Sequence, residues 1–104
     1  MAMTKDDMAM IAMEIVAYAG DARTKYLQAM DAISEKNFDK ANALIKEGDD
    51  LILSAHNQQT ELITKEAASE EVEISFLTVH AQNHLMTAML LSDMCKRFIK
   101  MFKN

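Results

Sequence analysis

Apolar residues recur along this chain at steps of three and four, the spacing that lines side chains along one face of an α-helix. In the first segment Met8, Ile11, Ile15 and Tyr18 keep that step. Thr4 precedes them, with Asp7 three residues on, a pair that can satisfy the free N–H groups at a helix start. The pattern predicts a first helix over 4–35. That helix runs through Gly20, a residue about 1 kcal/mol worse than Ala in a helix interior, so either another helix packs close against it or the helix kinks there. Lys36-Asn37 supplies a turn, and Asn37 caps a second helix over 38–65. Its apolar series, Ala41, Ile45, Gly48, Ile52, Ala55, Gln59 and Leu62, alternates steps of three and four, as a seam against other helices does.

Beyond Lys65 the pattern fades into Glu66-Ala67-Ala68-Ser69. Ser69 can cap a third helix over 70–102, with Glu70, Glu71 and Glu73 in a first turn where the helix dipole favours negative charge. This third helix carries two apolar stripes. One is Leu77, Ala81, His84, Ala88, Leu91, Cys95, Phe98 and Phe102; the other is Phe76, Val79, Asn83, Met86, Leu90 and Arg97, well around the same cylinder. One apolar face suffices inside a three-helix protomer, so the second predicts packing against something outside the chain, most simply copies of the same helix around a symmetry axis. Asn83, a polar residue within that stripe, is of the kind that fixes register and oligomer state.

The fold class read from this pattern is all-α: an antiparallel three-helix bundle protomer, one domain over 1–104, self-associating through its third helix. Composition agrees, for Pro is absent and Gly occurs twice in 104 residues, leaving few helix breakers. A net charge of −5, with 16 acidic against 11 basic residues, argues against nucleic-acid binding. The cationic cluster Lys96, Arg97, Lys100 and Lys103 suits the negative end of the third helix's dipole. No apolar run approaches the roughly 20 residues that span a bilayer, and Lys5, Asp6 and Asp7 lead straight into an amphipathic segment, unlike a secretory signal. A cytoplasmic protein without membrane insertion is expected. Cys95, the single cysteine, falls in an apolar stripe and reads as a small buried hydrophobe. Most of the ten methionines fall at core spacing; Met86, Met89 and Met94 could instead line an adaptable docking surface.

The residues with chemistry to offer are His56 on the second helix and His80 and His84 on the third. The last two stand at i, i+4, a metal-ligand spacing in other settings, but a third ligand and the glutamate of the metalloprotease pattern are missing. His84 projects along the first stripe and reads as a packed, hydrogen-bonded structural histidine; His56 reads similarly. His80 projects into the gap between the stripes, which puts it at the edge of a helix–helix or subunit cleft. There an imidazole, able to present a free lone pair near neutral pH, can act as a nucleophile. From the residues alone, a helical adaptor that oligomerises without chemistry and a metal-dependent hydrolase using His80 and His84 remain alternatives.

The run Val79-His80-Ala81-Gln82-Asn83-His84-Leu85-Met86-Thr87 closely resembles the V-H-A-Q-D-H-L-M-T signature of the lactose/cellobiose-type enzyme IIA proteins of the bacterial sugar phosphotransferase system. Ala19-Gly20-Asp21-Ala22-Arg23 and Ala55-His56-Asn57-Gln58-Gln59-Thr60 match as well, and the similarity covers nearly the whole chain. The resemblance implies a homotrimer of three-helix protomers whose His80 takes a phosphoryl group from the carrier HPr. His80 then passes it to enzyme IIB, which phosphorylates a β-linked disaccharide entering through the membrane component IIC. It also implies a supporting role for Gln82 beside the phosphohistidine, in a cleft between protomers. One position departs from the signature: Asn83 stands where the family has Asp. Three carboxylates on a trimer axis repel and call for a divalent cation; three amides do not. The expectation is a trimer held by an amide cluster with no bound Mg²⁺ and no other cofactor.

Overall fold

Thr4 and Asp7 close the capping box that opens the first helix: Thr4 Oγ1 accepts from the Asp7 N–H at 3.0 Å, and Asp7 Oδ2 accepts from the Thr4 N–H at 3.2 Å. The structure, a computed structural model, describes residues 4–68 and 74–103. Three helices follow one another: α1 (Lys5–Ser34), α2 (Phe38–Ala67) and α3 (Phe76–Phe102). α1 ends in a tight reversal. Lys36 takes the left-handed conformation, φ 60°, while its N–H bonds to Ile33 O at 2.9 Å and the Asn37 N–H to Ala32 O at 2.8 Å. These two bonds satisfy carbonyls that the helix end would otherwise leave open. Asn37 Oδ1 then accepts from the Lys40 N–H and starts α2.

The reversal lays α2 antiparallel to α1, so that Tyr26 meets Gly48 and Asp49. α3 returns parallel to α1, bringing Cys95 against Tyr26 and packing Ala81 and Leu85 with Ala12 and Ile15. α1 packs along both partners, whereas α2 and α3 meet each other least. The bundle is a rod of 53 × 20 × 18 Å.

Its interior is built largely from alanine. Ala12, Ala19, Ala22, Ala29 and Ala32 of α1, Ala41 and Ala55 of α2, and Ala81 and Ala88 of α3 are all buried. Tyr26, Leu85 and Cys95 are the largest fully enclosed side chains. Small side chains let the helices approach closely, but they remove little apolar surface from water. Of the methionines, Met8 is buried, while Met10, Met13, Met86, Met89, Met94 and Met101 are exposed among the described residues. The expectation that most pack in the core is therefore corrected: the closely spaced helices leave room for alanine there.

Four further expectations are corrected. α3 begins at Phe76, not at 70, because Ser75 and Thr78 form the capping box: Ser75 Oγ accepts from the Thr78 N–H at 3.2 Å, and Thr78 Oγ1 from the Ser75 N–H at 2.9 Å. The proposed cap Ser69 and the acidic turn Glu70, Glu71 and Glu73 lie outside the described residues. α2 runs two residues further, to Ala67. A Cβ at Gly20 would meet nothing within 4 Å, so no helix of this chain packs on it; the close approach is at Gly48, where the Tyr26 ring lies 2.6 Å from a would-be Cβ. The inner stripe of α3 runs Ala81, Leu85, Ala88, Ser92 and Cys95, which puts Leu85 rather than His84 in the core. At about 100° per residue, His84 is turned off that line toward the surface.

Candidate functional site

His80 and His84 lie one turn apart on α3, and the i, i+4 spacing stacks their rings. Nε2 of His80 and Nε2 of His84 are 2.9 Å apart, with ring centroids at 4.4 Å and planes inclined by 68°. A hydrogen bond of that length needs a proton on one nitrogen and a lone pair on the other. His80 is exposed and His84 half-buried.

Both rings open into a cleft of about 260 Å³ between α1 and α3, lined by Ala19, Arg23, His80, Asn83, His84 and Thr87. Ala19 leaves the α1 wall low, and Gly20 beside it carries no side chain at all. The Thr87 hydroxyl is turned back along its own helix, donating to Asn83 O at 2.8 Å. Among the described residues, no carboxylate lines this cleft.

Gln82 lies elsewhere. Two residues beyond His80, it is turned about 200° around the helix and accepts from Gln59 Nε2 of α2 at 2.5 Å. Within the protomer it ties α3 to α2 behind the histidines. Asn83 is exposed and borders both the His80 cleft and the neighbouring groove that contains Gln59 and Gln82. His56, expected to be packed, is exposed. It lines a separate groove between α2 and α3 with Met89, Asp93 and Lys96, because the seam position of that turn goes to Ala55.

That groove adjoins a polar cluster joining all three helices. Asp49 Oδ1 accepts from the Tyr26 hydroxyl and from Ser92 Oγ, each at 2.6 Å, and Oδ2 is 2.9 Å from Lys96 Nζ. Burial pushes the Asp49 carboxyl pKa upward, but the bonds from Ser92, Tyr26 and Lys96 outweigh it and hold it below the ordinary carboxylate value. Burial, with the adjoining carboxylate, pushes the Tyr26 phenol well above its ordinary value. Burial does the same to the Cys95 thiol, whose Sγ donates to Tyr26 O at 3.4 Å. The sequence signal for this cluster was a lone polar residue, Ser92, at a core step of α3. Arg23, the other residue not singled out, lay within a motif segment but gave no periodic sign of facing His80.

The family model for the phosphotransferase-system lactose/cellobiose-specific IIA subunit matches residues 10–103. The chain belongs to this family. It is 44% identical over 101 residues to the lactose-specific EIIA component of the phosphotransferase system of Staphylococcus epidermidis, covering 97% of each chain. Among solved structures, PtcA from S. mutans superposes with a TM-score of 0.96 at 35% identity, over 98% of this chain and 100% of that one. The cellobiose-specific enzyme IIA from Bacillus anthracis superposes with a TM-score of 0.88 at 33% identity, over 97% and 91%. Membership of the IIA family makes this chain a phosphocarrier component of a sugar phosphotransferase system. No helix of the described residues is long and apolar enough to cross a membrane.

Proposed function

We propose that His80 is the phosphoacceptor, taking a phosphoryl group from the phosphohistidine of HPr and passing it to enzyme IIB during uptake of a β-linked disaccharide of the lactose or cellobiose type. The observation that carries this reading is an exposed imidazole whose Nε2 is paired at 2.9 Å with a second imidazole, in an open cleft free of carboxylates. A lone pair on a His80 ring nitrogen attacks phosphorus while the P–N bond to the donor imidazole breaks, its electron pair returning to that ring. One imidazole is regenerated for each one phosphorylated. The enzyme IIB acceptor then attacks in the same way. Catalysis is mostly in-line positioning and stabilisation of charge on the phosphoryl oxygens. A cytoplasmic location, beside the membrane component IIC, follows from this role.

The working assembly on this reading is a homotrimer about the outer stripe of α3. Phe76 is 90% exposed, and Val79, Met86 and Leu90 are exposed with it; a face this apolar on a protomer is the kind that a symmetric assembly covers. The divalent cation that the family's Asp would hold does not fit here. Asn83 offers neutral amide oxygens, and magnesium is held through carboxylates. The trimer is accordingly proposed to be metal-free, and stoichiometric magnesium in the purified protein would overturn that point.

The relay is tested by incubating the protein with phosphoenolpyruvate, enzyme I and HPr. One acid-labile, base-stable phosphoryl group per chain is expected, lost in His80→Ala and kept in His56→Ala. No mass gain in the folded wild-type protein would instead support an oligomeric adaptor without chemistry.

A further inference from the structure

We infer that Arg23 is the cationic ligand of the phosphoryl group while that group sits on His80, an inference that rests on the phosphoacceptor reading above. A phosphohistidine carries close to two negative charges on a chain whose own net charge is already −5, so the site needs a positive counterpart. Of the six side chains lining the cleft, Arg23 alone is permanently charged.

Its guanidinium is also uncommitted. Neighbouring cations are taken: Lys25 pairs with Glu47, Lys46 with Asp50 and Lys96 with Asp49, and Arg97 Nη1 donates to Asp93 O. Arg23 has no ion-pair or hydrogen-bond partner among the described residues. Its side chain stands exposed at the rim, where α1 presents Ala19 and bare Gly20 and so leaves space for a tetrahedral group. The other possible donors there are weaker. Thr87 already gives its proton to Asn83 O, the Asn83 amide is neutral, and the facing His84 nitrogen shares a proton with His80. A guanidinium fork matches two phosphoryl oxygens at once and is aimed where charge spreads as phosphorus passes between nucleophiles.

The test is single-turnover transfer from phosphorylated HPr to wild-type protein, Arg23→Met, Arg23→Gln and Arg23→Lys, with circular dichroism as a check on folding. Arg23→Met and Arg23→Gln should slow phosphorylation by about 100-fold, the lower end of what loss of one oxyanion donor costs, mainly in the transfer rate constant rather than the concentration of HPr at half-saturation. Arg23→Lys should recover part of the loss. The phosphorus NMR resonance of the phosphohistidine should move in Arg23→Met, which a merely structural role does not predict. Wild-type rates and an unmoved resonance in folded Arg23→Met or Arg23→Gln would overturn the assignment while leaving His80 in place. A wild-type protein that takes no phosphoryl group, or a His80→Ala variant that still does, would instead remove the phosphoacceptor reading itself, and this inference with it.

Discussion

Asp49 accepts three hydrogen bonds from three different side chains, and its ionisation state therefore reports on the fold. Its folded pKa is depressed, so the stabilisation it brings is present at neutral pH and lost as pH falls below about 4. Tyr26 behaves oppositely: its phenol pKa is raised, so its contribution is intact below about pH 10 and falls away as pH climbs beyond it. Thermal melts across pH should show the gap between wild type and Asp49→Asn closing on the acid side. Tyr26→Phe should lose about 1.5–3 kcal/mol at neutral pH, the usual range for a hydrogen bond to a charged acceptor, and should lack the alkaline decline. A Tyr26→Phe variant as stable as wild type would mean that the cluster is ornamental. This network was not legible in the sequence, because its members lie 23 and 43 residues apart and none announces a partner. The exposure of His80 was legible from its place between the two stripes of α3. The partnership with His84 was half legible: the spacing was plain, but assigning His84 to the core hid the cleft the two rings share.

Each helix start was written in the sequence as a side-chain oxygen ahead of an apolar series, and two of the three were read at the right residue. At the third, Ser69 and Ser75 both offer a cap in the sequence; Ser75, followed at the third position by the hydroxyl of Thr78, closes the box that starts α3. Glycine was harder to interpret, since sequence cannot tell a glycine that admits a neighbour from one that has none. The two here separate cleanly in space. At Gly48 a methyl group would lie 2.6 Å from Tyr26 Cε1 and 2.8 Å from Cζ, and that ring is fully buried and anchored through its hydroxyl. Gly48→Ala should therefore destabilise by about 1–3 kcal/mol through overpacking, despite the better helix propensity of Ala. Gly20→Ala meets no atom within 4 Å among the described residues and should stabilise the isolated helix bundle by up to about 1 kcal/mol. Denaturant titration of both variants checks the pair. A neutral Gly48→Ala would show that Tyr26 can slide without disturbing Asp49.

Across the whole protomer alanine takes most of the buried apolar positions, beside Ile15, Ile45, Leu85 and Tyr26, while Leu53, Ile63, Phe76, Met86, Leu90, Met101 and Phe102 stay exposed. A chain that leaves this many large apolar side chains outside has more to gain from folding together with an assembly than from folding alone. The two-stripe pattern of α3 made this exposed apolar face visible in the sequence, because Val79, Met86 and Leu90 repeat at helical spacing two positions out of step with the core series. Two residues is roughly 200° of rotation, which places them opposite the bundle. Leu90 is 59% exposed on the protomer, yet burying a leucine is worth about 1.5–3 kcal/mol, and symmetry multiplies that by the number of copies that meet. Leu90→Lys keeps a good helix former at a position already exposed on the protomer, so helical content should survive. Sedimentation equilibrium should nevertheless show the proposed trimer, present in the wild type, dissociating in the variant, with a melting temperature that no longer rises with protein concentration. The His80 cleft lies between α1 and α3 of one chain. A dissociated Leu90→Lys protomer that still accepts a phosphoryl group would mean that one chain suffices for the chemistry and assembly serves stability. One that folds but accepts none would mean that the neighbouring copy completes the site.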